Sequence, residues 1–316
     1  MKSMPLRLAA LAVATAVGTG CSGGGGSDRG TGTLTLSLMD APVDNVTEVN
    51  VEITAIWLKS ADDEDGPAFE LPLVDGPIKV DLLELTEENA AILVDGAVID
   101  AGAYEWLAMD VNAEFDNVYD SYVMTDTGGM EELRVPSGRV RLVSGFEVEA
   151  NQAVRLLFDW DMRTGLVNPP GLPGHLLRPA FRVLDAAEYG LLRGTVAMST
   201  VTAAEHDCNA DSEADDYDIG NAIYIFEGLD AEPDDIDGND PEPVATVDAK
   251  RNDAGDYEYR ALLAPGDYTV ALTCHAANDE AETDETGNPD PADDTVLFVA
   301  AANVTIAADG EAVEDF

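Results

Sequence analysis

The stretch VNVEITAIW, residues 49–57, alternates apolar and polar side chains along most of its length. A period of two residues is typical of a β-strand that buries one face. The stretch therefore predicts a strand of a packed sheet, with Trp57 in the core. The face that we expect to be buried carries Val49, Val51, Ile53, Ala55 and Trp57.

Two further stretches show the same alternation. TLTLSL (33–38) places three leucines on one face, and VRLLFDWDM (154–162) is predicted to bury alternate apolar residues that include Trp160. These patterns predict an all-β chain built from two β-sandwich-like domains. The opposite face of the second stretch carries charges that we expect to form ion pairs at the surface, namely Arg155, Asp159, Asp161 and Arg163.

One segment of the first domain has helical signals instead. LTEENAAILVDG, residues 85–96, has Thr86 as an N-cap and Glu87 and Glu88 in its first turn, where negative charge suits the helix dipole. Gly96 is a typical helix stop. The segment therefore predicts one short helix in an otherwise β-rich domain.

The first 20 residues have the order of an export signal, with basic, then apolar, then small residues. Lys2 and Arg7 precede an apolar run, 8–17, that is too short to span a bilayer as a stable helix. Cys21 follows directly and resembles the lipidated cysteine of a bacterial lipobox. The resemblance implies a lipid-anchored envelope protein, at the outer membrane of a Gram-negative host. A soluble export signal is the alternative.

Residues 22–30 contain five glycines and no apolar side chain. A Gly/Ser chain of this length spans about 15–18 Å as a coil. We therefore expect a signal peptide at 1–20 and a lipid-bearing tether at 21–31, with the folded domains beyond it. The membrane is then a partner through the N-terminal lipid.

Acidic residues outnumber basic ones by 63 to 16, which gives a net charge of −47. Such a field repels nucleic-acid phosphates, so we expect no nucleic acid as a partner. The charge is uneven, because residues 191–316 hold 32 acidic and four basic side chains, whereas seven arginines fall within 134–182. This shift predicts a domain boundary near 188–190.

Several stretches of the first domain resemble the bacterial domain of unknown function 4382, in sequence and in order. The resemblance covers residues 32 to about 187 and implies an all-β domain of exported, often lipid-anchored proteins. Because the function of that family is unknown, the resemblance implies no catalytic residue. The matching stretches are GTLTLSLMDAPVDNVTEVNVEITAIWL, VDLLELTEENAAILVDG, GAYEWLAMDV, DSYVMTDTGG, LRVPSG, LVSGFEVEAN and LVNPPGLPGHLLRPAFRV.

A second resemblance lies nearer the C-terminus. NDAGDYEYRALLAPGDYTVALTC, residues 252–274, is similar to the carboxypeptidase-regulatory or transthyretin-like sandwich. In that family a D-x-G-x-Y strand leads through an L-x-P-G turn into a Y-T-V strand. The resemblance implies an acidic β-sandwich over 188–316 that serves as a structural or binding appendage.

Cys208 and Cys274 lie in the predicted second domain, and export exposes them to an oxidising compartment. We expect a disulfide, which in the chain-entropy model contributes roughly 4 kcal/mol for a loop of this length. A Cys2His2 metal site with His206 and His275 is the rival interpretation, and free thiols are a third. Adjacent strand residues point to opposite faces, so Cys274 and His275 would not converge on one ion.

The segment DAEPDDIDGND, residues 230–240, alternates carboxylates with small residues. Calcium takes six to eight oxygen ligands, and loops of this kind supply them. In a chain this acidic, a solvated loop without an ion is the alternative. We expect no other cofactor. The candidate calcium ligands are Asp235, Asp237, Asn239 and Asp240.

The sequence lacks the familiar catalytic motifs, including the nucleophile elbow, the HExxH zinc motif, the phosphate loop and the dinucleotide glycine motif. We therefore assign no catalytic residue. Trp106 is a candidate for glycan stacking, whereas core packing is expected for Trp57 and Trp160. These features favour a non-catalytic envelope protein that binds a protein or glycan partner or has a structural role. A carboxylate-dependent hydrolase of polysaccharide or peptide is the alternative.

Overall fold

The computed structural model describes ten segments of the chain, and the structural statements below refer to them. Cys21, the export signal and most of the tether lie outside these segments, as do Asn239 and Asp240. The segments are residues 30–41, 43, 45–62, 66–86, 89–142, 145–169, 171–208, 217–237, 241–279 and 296–316.

The described part of residues 31–185 forms a series of strands in two sheets. The strands are β1 (Thr31–Ala41), β2 (Val46–Ser60), β3 (Phe69–Leu71), β4 (Ile78–Asp81), β5 (Ala91–Asp100), β6 (Gly102–Val111), β7 (Tyr122–Thr125), β8 (Met130–Arg134), β9 (Arg139–Leu142), β10 (Phe146–Val148), β11 (Ala153–Asp161), β12 (Leu166–Val167), β13 (His175–Leu177) and β14 (Phe181–Asp185).

The smaller of these sheets has the order β14-β11-β1-β5, with β1 and β11 parallel. The larger sheet runs β10-β6-β2-β7-β8-β13-β12, with β3 and β4 also paired to β2 and with β9 paired to β6. Their inner faces share one apolar core, which includes the leucines of β1 and the fully buried Trp160 of β11. The all-β class is confirmed, and the first pair of sheets is a sandwich.

The described part of residues 190–313 forms two four-stranded sheets, β18-β19-β15-β22 and β17-β16-β20-β21, around a second apolar core. The strands on either side of Pro265 lie in different sheets, so the chain crosses the sandwich at that turn. The strands are β15 (Gly190–Val196), β16 (Ala222–Glu227), β17 (Ala245–Asp248), β18 (Lys250–Arg251), β19 (Tyr257–Leu263), β20 (Gly266–Thr273), β21 (Phe298–Ile306) and β22 (Glu311–Val313).

The helix expected over residues 85–96 is wrong, because β5 occupies the second half of that segment. Val94 pairs with Leu36, and Ala97 pairs with Leu34, so Asp95 and Gly96 form a bulge in the strand. Gly96 has a φ of 59° there, which suits glycine. The residue taken as a helix stop is therefore a strand bulge. Glu87 and Glu88 lie outside the described residues.

Helical structure in the described segments is limited to short turns. The α-helices are α1 (Met162–Gly165) and α2 (Met198–Val201), and 3₁₀ turns lie at Leu82–Glu84 and Ala276–Asn278. With four residues each, α1 and α2 fall far short of the thickness of a bilayer, and no described helix could cross one.

Of the four charged side chains expected at the surface, Asp159, Asp161 and Arg163 are buried and Arg155 is exposed, which corrects the expected surface ion pairs. Asp161 and Arg163 are 7% and 2% exposed, and both face the second sandwich. Arg163 donates to the carbonyl oxygen of Ala276 at 2.7 Å and to Asp248 Oδ1 at 3.1 Å. Asp161 accepts from the Thr246 hydroxyl at 3.3 Å. These side chains join the two sandwiches.

A second contact between the sandwiches lies nearby. Buried Asp159 pairs with Arg182, which also donates to the carbonyl oxygen of Leu262 at 3.1 Å. Apolar side chains from both sides surround this contact, including Leu157 and Leu184 from the first sandwich and Leu262 from the second. The junction therefore combines buried ion pairs with a small apolar cluster.

We predict that Arg163→Ala destabilises the full chain by about 3–5 kcal/mol, because removing one partner of a buried ion pair leaves polar groups desolvated. Arg193→Ala is the matched control, since the Arg193–Glu311 pair is half-exposed and such pairs contribute about 1 kcal/mol or less. Urea unfolding of both variants measures the difference. Equal losses would show that the junction does not depend on Arg163.

Candidate functional site

Trp57 faces outward, which corrects the expectation that it packs in the core. Ile53 pairs with Val111, but Ala55 pairs with Asp110, so β2 carries an extra residue at this point. After this bulge Ile56 is fully buried and Trp57 is only partly buried. Because strand side chains alternate, one inserted residue moves the following side chains to the other face.

Trp57 meets a charged pair on this outer face of the larger sheet. Its indole N–H donates to Asp110 Oδ2 at 2.7 Å. Arg139 binds the same carboxylate with two bonds, Nε to Oδ1 at 2.5 Å and Nη2 to Oδ2 at 2.9 Å, and its guanidinium lies 5.1 Å from the centre of the Trp57 ring. These bonds lower the pKa of Asp110, chiefly through the Arg139 hydrogen bond. Asp110 is therefore an ionised, fixed carboxylate at neutral pH.

A second tryptophan–arginine pair lies beside the first. The Arg141 guanidinium is 4.3 Å from the centre of the Trp106 ring. Glu105 approaches Arg141 only at 4.0 Å, the outer limit of an ion pair, and both side chains are half-exposed. Arg141 is therefore less engaged by protein carboxylates than Arg139.

These side chains border an open groove of about 680 Å³. We call this surface the Trp–Arg groove, and we include in it Trp57 and Trp106, which lie under the two arginines. Most of the lining groups are polar, including hydroxyl and amide side chains. The groove is lined by Thr54, Asp110, Val111, Asn112, Glu114, Ser137, Gly138, Arg139 and Arg141.

Trp160 behaves differently from the other two tryptophans. It is fully buried, its ring packs 4.2 Å from that of Phe181, and its N–H donates to the carbonyl oxygen of Arg178 at 3.0 Å. This agrees with the core position expected for it. The sequence signal that could have revealed the groove is the alternation of Arg139 and Arg141 around a buried Val140, opposite Asp110.

Cys208 and Cys274, which the sequence predicts to pair, are joined by a disulfide. The neighbouring histidines face backbone oxygens, since His275 Nε2 lies 3.0 Å from the carbonyl of His206, and His206 Nδ1 lies 2.8 Å from that of Thr200. Because both sulfurs are used in the bridge, this arrangement does not form the Cys2His2 metal site considered as the alternative. The group is structural.

The acidic loop of the second sandwich is anchored at its centre. Ile236 is 4% exposed and packs in a small apolar cluster that contains Tyr224. The Ile236 N–H donates to Asp279 Oδ1 at 3.2 Å, and the Tyr224 hydroxyl donates to the other oxygen. This part of the loop is therefore packed against the sheet.

Anchoring of the loop brings three carboxylates together. Ligand oxygens of Asp234, Asp235 and Asp237 lie within 4.8 Å of one another. Burial raises the pKa of the neighbouring Asp279 against the lowering effect of its hydrogen bonds from Tyr224 and Ile236, and the charge of Asp235 adds a smaller contribution in the raising direction. The cluster includes two of the four predicted calcium ligands, Asp235 and Asp237, and adds Asp234.

The remaining histidine is also placed in the structure. His175 is buried, and its Nδ1 lies 3.2 Å from Glu131. It begins β13, which pairs with β8 of the larger sheet. Its position is away from the lining of the Trp–Arg groove.

Comparisons with known proteins identify one part of the chain. Residues 31–179 match the family described as Domain of unknown function (DUF4382), which agrees with the resemblance seen in the sequence. The match spans a little under half of the chain. Among curated proteins, none matches this sequence.

Solved structures give distant likenesses. The TIE protein of Bacillus anthracis is 12% identical, with 90% of this chain aligned to 33% of that one and a TM-score of 0.18. A candidate adhesin from Bacteroides ovatus is 9% identical, with 94% of each chain covered and a TM-score of 0.21. The fimbrial anchor protein Mfa2 of Porphyromonas gingivalis is 8% identical, with 88% of this chain, 99% of that chain and a TM-score of 0.20. At these scores no function is taken from them, and this chain spans only a third of the TIE protein.

We predict that millimolar calcium raises the melting temperature of the full chain at fixed ionic strength, and that magnesium does not. Three carboxylates this close repel one another, and calcium accepts oxygen ligands in flexible geometry. The effect should vanish in Asp235→Asn/Asp237→Asn and persist in Asp253→Asn, which neutralises an exposed carboxylate elsewhere. Calorimetry that finds no calcium shift at matched salt would leave the loop as a purely structural element.

Proposed function

We propose that this chain is a lipid-anchored protein of the cell envelope that binds a ligand or partner through the Trp–Arg groove. The observation that carries the proposal is the pairing of two tryptophans with two arginines on a solvent-facing sheet. Tryptophan and arginine are enriched among the residues that dominate binding energies. Exposed cation–π pairs stabilise a fold by only about 0.5–1 kcal/mol each, so binding explains the arrangement better than stability does.

The domain plan is part of the proposal. It places a signal peptide at 1–20, a lipid-bearing tether at 21–31, the groove-bearing sandwich at 32–187, and a transthyretin-like appendage at 188–316. The sheets support this division, because no sheet of the described residues combines strands from both sides of residues 186–189. The tether would hold the groove away from the membrane.

A binding role without catalysis fits the chemistry of the groove. A carboxyl that acts as a general acid needs a raised pKa, whereas that of Asp110 is lowered. Asp161 and Asp279, two described carboxyls whose pKa values are raised, are buried and hydrogen-bonded within the protein. These observations give no support to the alternative hydrolase.

Lipid anchoring predicts that Cys21→Ser moves the protein from the membrane to the soluble fraction of expressing cells. The physical reason is that several acyl chains on one cysteine give stable anchoring, since each buried methylene contributes about 0.8 kcal/mol. Ser22→Ala, one residue further on, is the control and should remain in the membrane. An intact mass that corresponds to an unmodified N-terminal cysteine would refute the anchor.

Groove binding predicts that Trp106→Ala reduces co-sedimentation of the full chain with protein-free envelope polysaccharide several-fold. The substitution removes the platform that holds Arg141. Tyr119→Ala removes an exposed aromatic side chain outside the groove lining and should bind as the wild type does. If both variants sediment like the wild type, the groove is not the binding surface.

A further inference from the structure

We propose that the ligand of the Trp–Arg groove is a carboxylate-bearing saccharide, recognised through Arg141. This inference rests on the proposed function and specifies its ligand class. Arg141 is half-exposed and stacks over Trp106, and Glu105 reaches it only at 4.0 Å. The guanidinium group is planar, and contact of one face with an indole ring leaves N–H donors at its edge in the geometry that matches a carboxylate.

Arg139 serves as a contrast within the same groove. Its Nε and Nη2 atoms already bind both oxygens of Asp110, and the indole N–H of Trp57 reinforces that carboxylate. Arg139 therefore belongs to a closed internal pair, and Arg141 is the cation that has room for an external anion. One free guanidinium accommodates one carboxylate.

The surrounding charge favours a singly charged group over phosphate monoester. Asp110 and Glu114 line the groove, Glu105 lies beside Arg141, and the chain as a whole carries a charge of −47. Both the repulsion by these carboxylates and the attraction of the guanidinium grow with the charge of the ligand. Because acidic groups outnumber the one available guanidinium, the net electrostatic penalty is larger for a dianion than for a monoanion. Among anions, a singly charged carboxylate is therefore penalised least.

The rest of the lining favours a ligand rich in hydroxyl groups. Thr54, Asn112 and Ser137 present hydroxyl and amide side chains, and Gly138 exposes backbone. The groove volume lies within the range of roughly 300–1,000 Å³ that is typical of small-molecule sites. A sugar acid combines these requirements, because its hydroxyls meet the polar wall and its carboxylate meets Arg141.

The experiment measures binding of a disaccharide that carries a single galacturonic acid residue by calorimetry, with the methyl ester of that residue as the neutral counterpart. The full chain carries Cys21→Ser throughout, so that it stays in solution, and ionic strength is fixed. We expect the acid form to bind at least tenfold more tightly than the ester. Arg141→Gln should lose that tenfold preference, and Arg141→Lys should retain part of it, since lysine keeps the charge without the planar geometry.

Arg193→Gln is the matched control, because Arg193 is also half-exposed and next to a carboxylate but lies in the second sandwich. The Arg193→Gln variant should bind both probes with the same affinities as the Cys21→Ser protein that keeps Arg141 and Arg193. Melting temperatures of the variants confirm that each is folded.

Three results would overturn the inference. Equal affinity for the acid and the ester would show that saccharide binding in the groove does not depend on the charge of the carboxylate. That result would leave the proposed function intact. An equal loss in Arg141→Gln and Arg193→Gln would indicate attraction to general positive charge. No binding of either probe would exclude sugar acids of this type, while the polysaccharide sedimentation of Trp106→Ala tests the groove separately.

Discussion

The 15-residue strand β2 is the constraint on which the first sandwich depends, because it pairs with β3, β4, β6 and β7. The first part of β2 pairs with β4 and β7, and the later part pairs with β3 and β6. The bulge between Ile53 and Ala55 changes the register between these two parts. Before the bulge Val51 and Ile53 enter the core, and after it Ile56 and Leu58 enter instead. The core remains continuous, although the positions that face it change from odd-numbered to even-numbered residues at the bulge. Trp57 is left outside as the consequence, and the groove forms around it.

The junction between the sandwiches is formed in part by the polar side chains that alternate with core residues along β11. The polar face of β11 would be a solvent face in an isolated domain, but here its C-terminal part, with Asp159 and Asp161, meets the second sandwich. Burial raises the pKa of Asp161, against the favourable N–H of Thr164 and the charge of Arg163. The net stability that buried charges of this kind contribute is small, because desolvation offsets their attraction. We infer that these pairs fix how the two sandwiches dock.

The sequence was sufficient for the fold class and for part of the core, since alternation identified β1 and the apolar face of β11 that includes Trp160. It failed where a non-local effect decided the outcome. Helical signals around Thr86 were overridden because Val94 pairs with β1. The exposure of Trp57 depends on a register shift against β6, and the burial of Arg163 depends on a separate sandwich. The sequence pattern of one strand shows neither its register against a neighbouring strand nor the packing of a second sandwich on it.

The uneven charge of the chain bears on the ligand class that we propose for the groove. At physiological ionic strength a charge is screened beyond about 8 Å, so the acidic residues of the second sandwich have little influence on a ligand already seated at Arg141. They act at longer range on whatever approaches, and they disfavour polyanions such as nucleic acids. Only ligands that are not repelled at long range come close enough to bind Arg141. A chain with a net charge of −47 can therefore admit a monoanion at Arg141 while its field disfavours more highly charged ligands.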